Sequence, residues 1–151
     1  MALYVANAST RVRLKGFCGH RLVVGGGVPT IEIVSLSVTN VSQRPTTVTN
    51  IGLSMGLPFR KRAGVINIVQ SHISHGIPKT LADGERASWS IELDKSQTWI
   101  RELVEKFEMN WLSVQTLRFH VYTSNGGTTT LRPEKELRKM LLNHVAKKKH
   151  G

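Results

Sequence analysis

Gly52-Leu53-Ser54-Met55-Gly56 matches the G-x-S-x-G string of serine hydrolases. That string does chemistry only on a sharp strand-to-helix turn that exposes the serine Oγ. Here it runs into Leu57-Pro58 and a basic stretch without helical periodicity, and the proline disfavours helix at Leu57. Ser54 therefore reads as a strand residue rather than a nucleophile. His72 and His75 would form a metal-ligand pair on a helix. Their segment is short and flanked by Gly76 and Pro78, with no carboxylate or thiol nearby, and a structural zinc site needs four ligands. They read as ordinary histidines, and no metal or cofactor is expected. Cys18, the single cysteine, lies between Phe17 and Gly19 and reads as a buried, inert thiol. One cysteine also excludes a disulfide framework within the chain. Gly25-Gly26-Gly27 lacks the Gly-Lys-Ser/Thr that completes a phosphate-binding loop. No catalytic constellation emerges, so the chain reads as a non-enzyme.

What the chain offers instead is positive charge. It has 21 Lys+Arg against 10 Asp+Glu in 151 residues, a net charge of +11. The excess is uneven: residues 1–62 carry +7, residues 63–110 carry −2, and residues 111–151 carry +6. Three clusters are candidate polyanion contacts. Arg11, Arg13 and Lys15 alternate with apolar residues on the outer face of a first strand. Arg60, Lys61 and Arg62 follow Pro58 and are expected on an exposed loop. Lys147, Lys148 and Lys149 form a tail after a helix. Phosphate contact by such residues gives affinity with little sequence preference.

The elements that must position these residues are mostly strands. Thr10 to Phe17 and Ala87 to Leu93 alternate apolar and polar residues, with Trp89 a core anchor. Trp99 and Trp111 also read as core or interface anchors. Ile31 to Val41 is the strongest strand, and its apolar phase slips once between Ile33 and Val34. A bulge, or cover on both faces, would produce that slip. Thr46 to Met55 is rich in β-branched residues and is expected to pair with it as a hairpin around Gln43-Arg44-Pro45. A short strand is expected over Val65 to Val69. Asp94 is the expected N-cap of a helix over Lys95 to Glu108, with Ile100, Leu103, Val104 and Phe107 as its apolar stripe. Trp111 to Tyr122 reads as strand, placing His120 on its outer face. Ser124-Asn125-Gly126-Gly127 then reads as a hairpin turn into Thr128 to Leu131. Pro133 opens a last helix whose stripe is Leu137, Met140, Leu141 and Val145, a candidate interface for a partner. Short strands with turn signals between them give a mainly β, antiparallel sandwich with one crossing helix and a C-terminal amphipathic helix.

Val34 to Pro45 (VSLSVTNVSQRP), followed by Thr46 to Leu53 (TTVTNIGL), resembles a pattern in uncharacterised immunoglobulin-like β-sandwich proteins of bacteria and their phages and mobile elements. Leu81-Ala82-Asp83-Gly84-Glu85 and Val121 to Gly126 resemble the same group. The likeness spans roughly residues 10–133 and rests on turn and core features, so it implies an immunoglobulin-like fold and a phage or prophage origin, not a chemistry. The expected organisation is an N-terminal arm over 1–9, the sandwich over 10–133, a helix over 134–146 and a basic tail over 147–151. Residues Met1 to Thr10 lack a signal peptide's basic start and apolar run, and no run approaches the ~20 apolar residues of a membrane span. The expected location is cytoplasmic, or the virion for a phage structural protein. The expected function is a non-enzymatic protein-interaction or structural module with a protein partner or self-association. The alternative is sequence-nonspecific nucleic-acid binding through the basic loop and tail.

Overall fold

The computed structural model describes residues 12–59, 61–65 (backbone only at Val65) and 76–151. The expected N-terminal arm, Arg11, Arg60, His72, His75 and most of the strand expected over Val65 to Val69 lie outside the described residues. Eight strands form two antiparallel sheets among the described residues. The first sheet has the order β1 (Leu14–Gly25), β2 (Val28–Asn40), β6 (Arg86–Leu93). The second has the order β4 (Arg62–Val65), β3 (Thr46–Met55), β7 (Arg118–Thr123), β8 (Thr128–Leu131), and β5 (Lys79–Leu81) also pairs with β3. Three helices complete the chain: α1 (Thr98–Lys106), α2 (Trp111–Thr116) and α3 (Lys135–Lys149). None is long and apolar enough to cross a membrane.

Both sheets contribute to one buried cluster. Val34, Leu36, Val38 and Trp89 from the first sheet share it with Val48, Ile51, Leu53, Phe119 and Val121 from the second. Trp89 is the anchor its alternation predicts. The strand expected over Thr10 to Phe17 is seen from Leu14, where β1 begins; β1 runs on to Gly25 and turns through Gly26-Gly27 into β2. The phase slip in β2 is not a bulge. Its register with β1 and with β6 runs unbroken through Ile33 and Val34, and residues 33–38 are all buried, so both faces are covered there.

The expected β2–β3 hairpin does not form, because the two strands lie in different sheets. Asn40 makes the crossing. Its side chain is fully buried; Nδ2 donates to the Arg44 and Leu81 carbonyls at 2.8 and 3.0 Å, and Oδ1 accepts from the Ser42 N–H at 3.0 Å. A side chain that satisfies three turns of backbone at once fixes a corner that a two-strand turn would not make.

Two helix boundaries also differ from expectation. α1 starts at Thr98, not Lys95, because the Asp94 carboxylate accepts from the Thr98 N–H at 2.7 Å and closes a separate turn. Residues 111–116 are helix rather than strand. Asn110 and Ser113 cap it reciprocally: Asn110 Oδ1 accepts from the Ser113 N–H at 2.9 Å, and Ser113 Oγ accepts from the Asn110 N–H at 3.3 Å. The hairpin at Ser124 to Gly127 forms as expected, with Gly126 at φ 78°.

α3 is built into the fold. Glu134 precedes it, and its carboxylate takes the Arg21 guanidinium in a fork at 2.6 and 2.9 Å. The Glu134 N–H donates to the Cys18 carbonyl at 2.8 Å, and Pro133 bridges in parallel to Cys18. The edge of the first sheet is thereby joined to the end of β8. Leu137, Leu141 and Val145 are buried in the shared cluster, and Met140 packs against it. The stripe expected to meet a partner is therefore the chain's own core. The Arg21–Glu134 fork and the Glu134 N–H bond to Cys18 hold the helix start beside β1, and burial of the apolar stripe against both sheets accounts for its inward face.

His144 adds a pH dependence to this docking. Its Nε2 lies 3.0 Å from Gln97 Oε1 at the start of α1. Burial, Lys147 and Arg101 hold its imidazole below the ordinary value of 6.5. His120 is lowered too, by burial and Lys61. A lowered folded value means that the unfolded chain protonates first as the pH falls. The stability these rings contribute is complete above 6.5 and is lost as the pH falls below it toward the depressed folded values. His144→Gln should shrink the drop in thermal midpoint between about pH 7.5 and 5.5 relative to the parent chain. Equal drops in both proteins would remove His144 from this account.

Candidate functional site

The candidate site lies at the end of the second sheet, where β3 leaves the sheet and β4 returns. A cleft of about 670 Å³ opens between Gly56, Leu57, Lys61 and Arg62 on one side and Asn110, Leu112 and Ser113 on the other. Its walls are fixed by named contacts. The Gly56 N–H donates to Thr116 Oγ1 at 2.8 Å, tying the loop to α2. Arg62 donates to the Phe107 carbonyl and, at 3.1 Å, to Ser113 Oγ, tying β4 to the connection between α1 and α2.

The rim of this cleft is apolar and exposed. Phe59 is 98% exposed and Trp111 61%; Leu57 and Leu112 are also exposed. Trp111 follows the lining residue Asn110 and precedes the lining residue Leu112, and Phe59 is two residues from Leu57. Single exposed apolar residues need no explanation, but two exposed leucines lining one concavity, each with an exposed aromatic close to it in sequence, do. Of the tryptophans, Trp89 is core, Trp99 packs partly against it, and only Trp111 stands out as a surface anchor. Sequence alone leaves Trp111 as a core or an interface anchor at the start of an expected strand; the Asn110–Ser113 cap makes it the first residue of a helix instead, with its ring exposed.

The sequence-selected basic residues are not brought together. Lys61 is exposed at the cleft. Arg62 is not on a loop but begins β4, pairs opposite Met55 and is half-buried, with its guanidinium held by Phe107 and Ser113. Arg13 and Lys15 are exposed at the start of β1, away from this cleft's lining. Lys147, Lys148 and Lys149 are the last turn of α3 rather than a tail beyond it. There they face the negative end of the helix dipole, which accounts for their position without a ligand. The helix therefore ends at Lys149, not at Ala146.

Ser54 does meet a histidine. Its Oγ lies 2.6 Å from His120 Nε2, and His120 Nδ1 lies 3.1 Å from Thr130 Oγ1. The three form a row across the outer face of β3, β7 and β8. Ser54 sits mid-sheet in β3 and is 3% exposed, without the turn that presents a nucleophile. The third member is a hydroxyl, so no carboxylate stabilises an imidazolium there. The pair was missed in the sequence because sixty-six residues separate its members; only the register of β3 on β7 joins them. Cys18 is 1% exposed, and burial pushes its thiol well up, which keeps it protonated and unreactive. Among the described residues no group of three or more His, Cys, Asp or Glu could hold a metal ion.

Comparison with protein-family models and with curated proteins finds no match to this chain.

Proposed function

We propose that this chain is a non-enzymatic interaction module of immunoglobulin-like architecture that binds a partner protein through the rim of the β3–β4 cleft. The observation that carries the reading is the exposed pair Leu57 and Leu112 lining one concavity, with the exposed aromatics Phe59 and Trp111 close to them in sequence. Aromatic anchors at the centre of an interface commonly supply most of its binding energy, and a pre-formed wall limits the ordering cost. The likeness to phage and mobile-element proteins fits a virion component or an accessory protein that binds a host factor. Cytoplasm and virion are both compatible with that role. Binding of nucleic acid by the basic loop and tail loses support, since Arg62 is tied internally and the lysine triplet belongs to a helix end.

The test is capture from host lysate on the tagged chain, after nuclease treatment, with a Phe59→Ser/Trp111→Ser double variant alongside. The expected result is a defined protein that the parent chain retains at high salt and the double variant loses. Both side chains are exposed, so the double variant should unfold at nearly the parent midpoint. A partner retained equally by the variant would move the interface elsewhere. No partner, combined with a monomeric state at high concentration, would end the proposal.

A further inference from the structure

The second sheet carries no carboxylate. Its five strands β3, β4, β5, β7 and β8 contain no Asp or Glu, and all ten acidic residues of the chain lie outside them. The β3–β4 and β7–β8 connections, residues 56–61 and 124–127, are acid-free as well. The first sheet is different, with Glu32 and Glu92 on its strands. Charge is thus segregated between the two sheets, on a chain whose net charge is +11.

The register fixes what faces outward. Asn50, Gly52 and Ser54 on β3 stand opposite Tyr122, His120 and Arg118 on β7, and Thr128 and Thr130 on β8 continue the rows. Their alternates Ile51, Leu53, Phe119 and Val121 are buried. Tyr122 lies across Gly52: a Cβ there would come within 3.1 Å of the ring, so glycine lets the ring settle onto the sheet. Tyr122 remains 38% exposed and has His120 beside it, with ring centroids 6.2 Å apart. At the other end of the same face are Arg118 and exposed Lys61, and the exposed Arg132 lies two residues beyond Thr130. Lys61 is near enough to His120 to depress its protonation.

We propose that this outer face binds single-stranded nucleic acid, with Tyr122 as a base-stacking platform and the exposed Lys61 and Arg132 as phosphate contacts; the Arg118 guanidinium between them is held by the Leu117 and Gln115 carbonyls. An exposed aromatic beside cations is the combination that single strands require, and the β7–β8 half of the face offers it: Tyr122, Thr128 and Thr130 are exposed there, while Gly52 and Ser54 on β3 are buried beneath. Strands free of Asp and Glu lessen the like-charge repulsion that would oppose a phosphate backbone, and the Glu85 carboxylate that reaches this sheet is paired with Lys79 of β5 at 3.4 Å. An acidic peptide would use the cations but has no use for the stacking residues or the width of the sheet. The surface is separate from the apolar rim except at Lys61, so the protein-binding reading and this one stand or fall independently.

The experiment is an anisotropy titration of the full chain with a fluorescein-labelled oligodeoxythymidylate at several salt concentrations. The expected result is binding that weakens steeply with salt. Tyr122→Ala should lose about tenfold in affinity while Tyr122→Phe keeps most of it. Lys61→Gln, at an exposed site, should reduce the log–log salt slope by ~0.7. Three outcomes would overturn the proposal: no binding at low salt, parent-like binding by Tyr122→Ala, or tighter binding of a labelled polyglutamate peptide than of the oligonucleotide.

Discussion

Asn40→Ala is expected to lower the unfolding free energy by about 2–4 kcal/mol. The side chain makes the corner between the two sheets, and of its partners the Arg44 carbonyl has a second donor at hand, the Ser42 hydroxyl at 3.3 Å. With Nδ2 gone, the Leu81 carbonyl loses a buried donor at 3.0 Å, and the Arg44 carbonyl, on an exposed residue, loses one at 2.8 Å. With Oδ1 gone, the Ser42 N–H loses its acceptor, and so does the Ser42 hydroxyl. Each buried polar group left without a partner costs about 1–3 kcal/mol, and partial relaxation of the turn keeps the total below the sum. The backbone of Asn40 is still held on both sides, by Glu85 and Gly84, so the fold should survive the loss. Asn40→Asp is the sharper control. It keeps the acceptor for Ser42 but turns a carboxylate oxygen toward two carbonyls, and should be at least as destabilising as alanine near neutral pH. Urea unfolding followed by tryptophan fluorescence reads both. A loss under about 0.5 kcal/mol for alanine would mean that the crossing is held by packing alone.

That corner also marks where sequence reading reaches its limit. The strands were legible because alternation over Ala87 to Leu93 and over Phe119 to Val121 is a local property of the chain. The turn at Gly126 was legible because glycine permits the positive φ it needs. Pairing was not legible. β2 and β3 are adjacent in sequence and share a turn-rich linker, yet Asn40 reaches forty-one residues on to the Leu81 carbonyl and sends β3 to another sheet. The candidate site failed for the same reason. Its walls come from residues 56–62 and 110–113, and its strongest internal tie, Arg62 to Ser113, spans fifty-one residues. The basic triplet was visible, but its division into a structural Arg62 and an exposed Lys61 depends on what stands opposite. The acid-free sheet could have been counted strand by strand, had the sheet membership of each strand been known.

The last helix separates the two meanings of an apolar stripe most clearly. Leu137, Met140, Leu141 and Val145 recur at helical spacing, and sequence alone allows them to face either a partner or the chain's own core. Leu141 is fully buried among residues of both sheets and the other helices. Truncating a leucine in such a position removes its transfer energy and leaves a cavity, so Leu141→Ala should cost about 2–5 kcal/mol. Asn143→Ala, on the exposed face of the same helix, replaces a poor helix former with a better one and should be neutral or slightly stabilising. The contrast between the pair carries the argument, because general weakening of the helix would move both. A free helix kept for a partner predicts the opposite pattern: both variants at the parent midpoint, with loss of binding only for Leu141→Ala. A midpoint shift for Leu141→Ala with none for Asn143→Ala assigns the stripe to the core. The apolar surface then left for a partner lies in exposed residues elsewhere, Leu57 and Leu112 at the cleft with Phe59 and Trp111 near them in sequence, and Leu22, Val24 and Val28 at the β1–β2 turn, and the double variant of the aromatics decides between the two places.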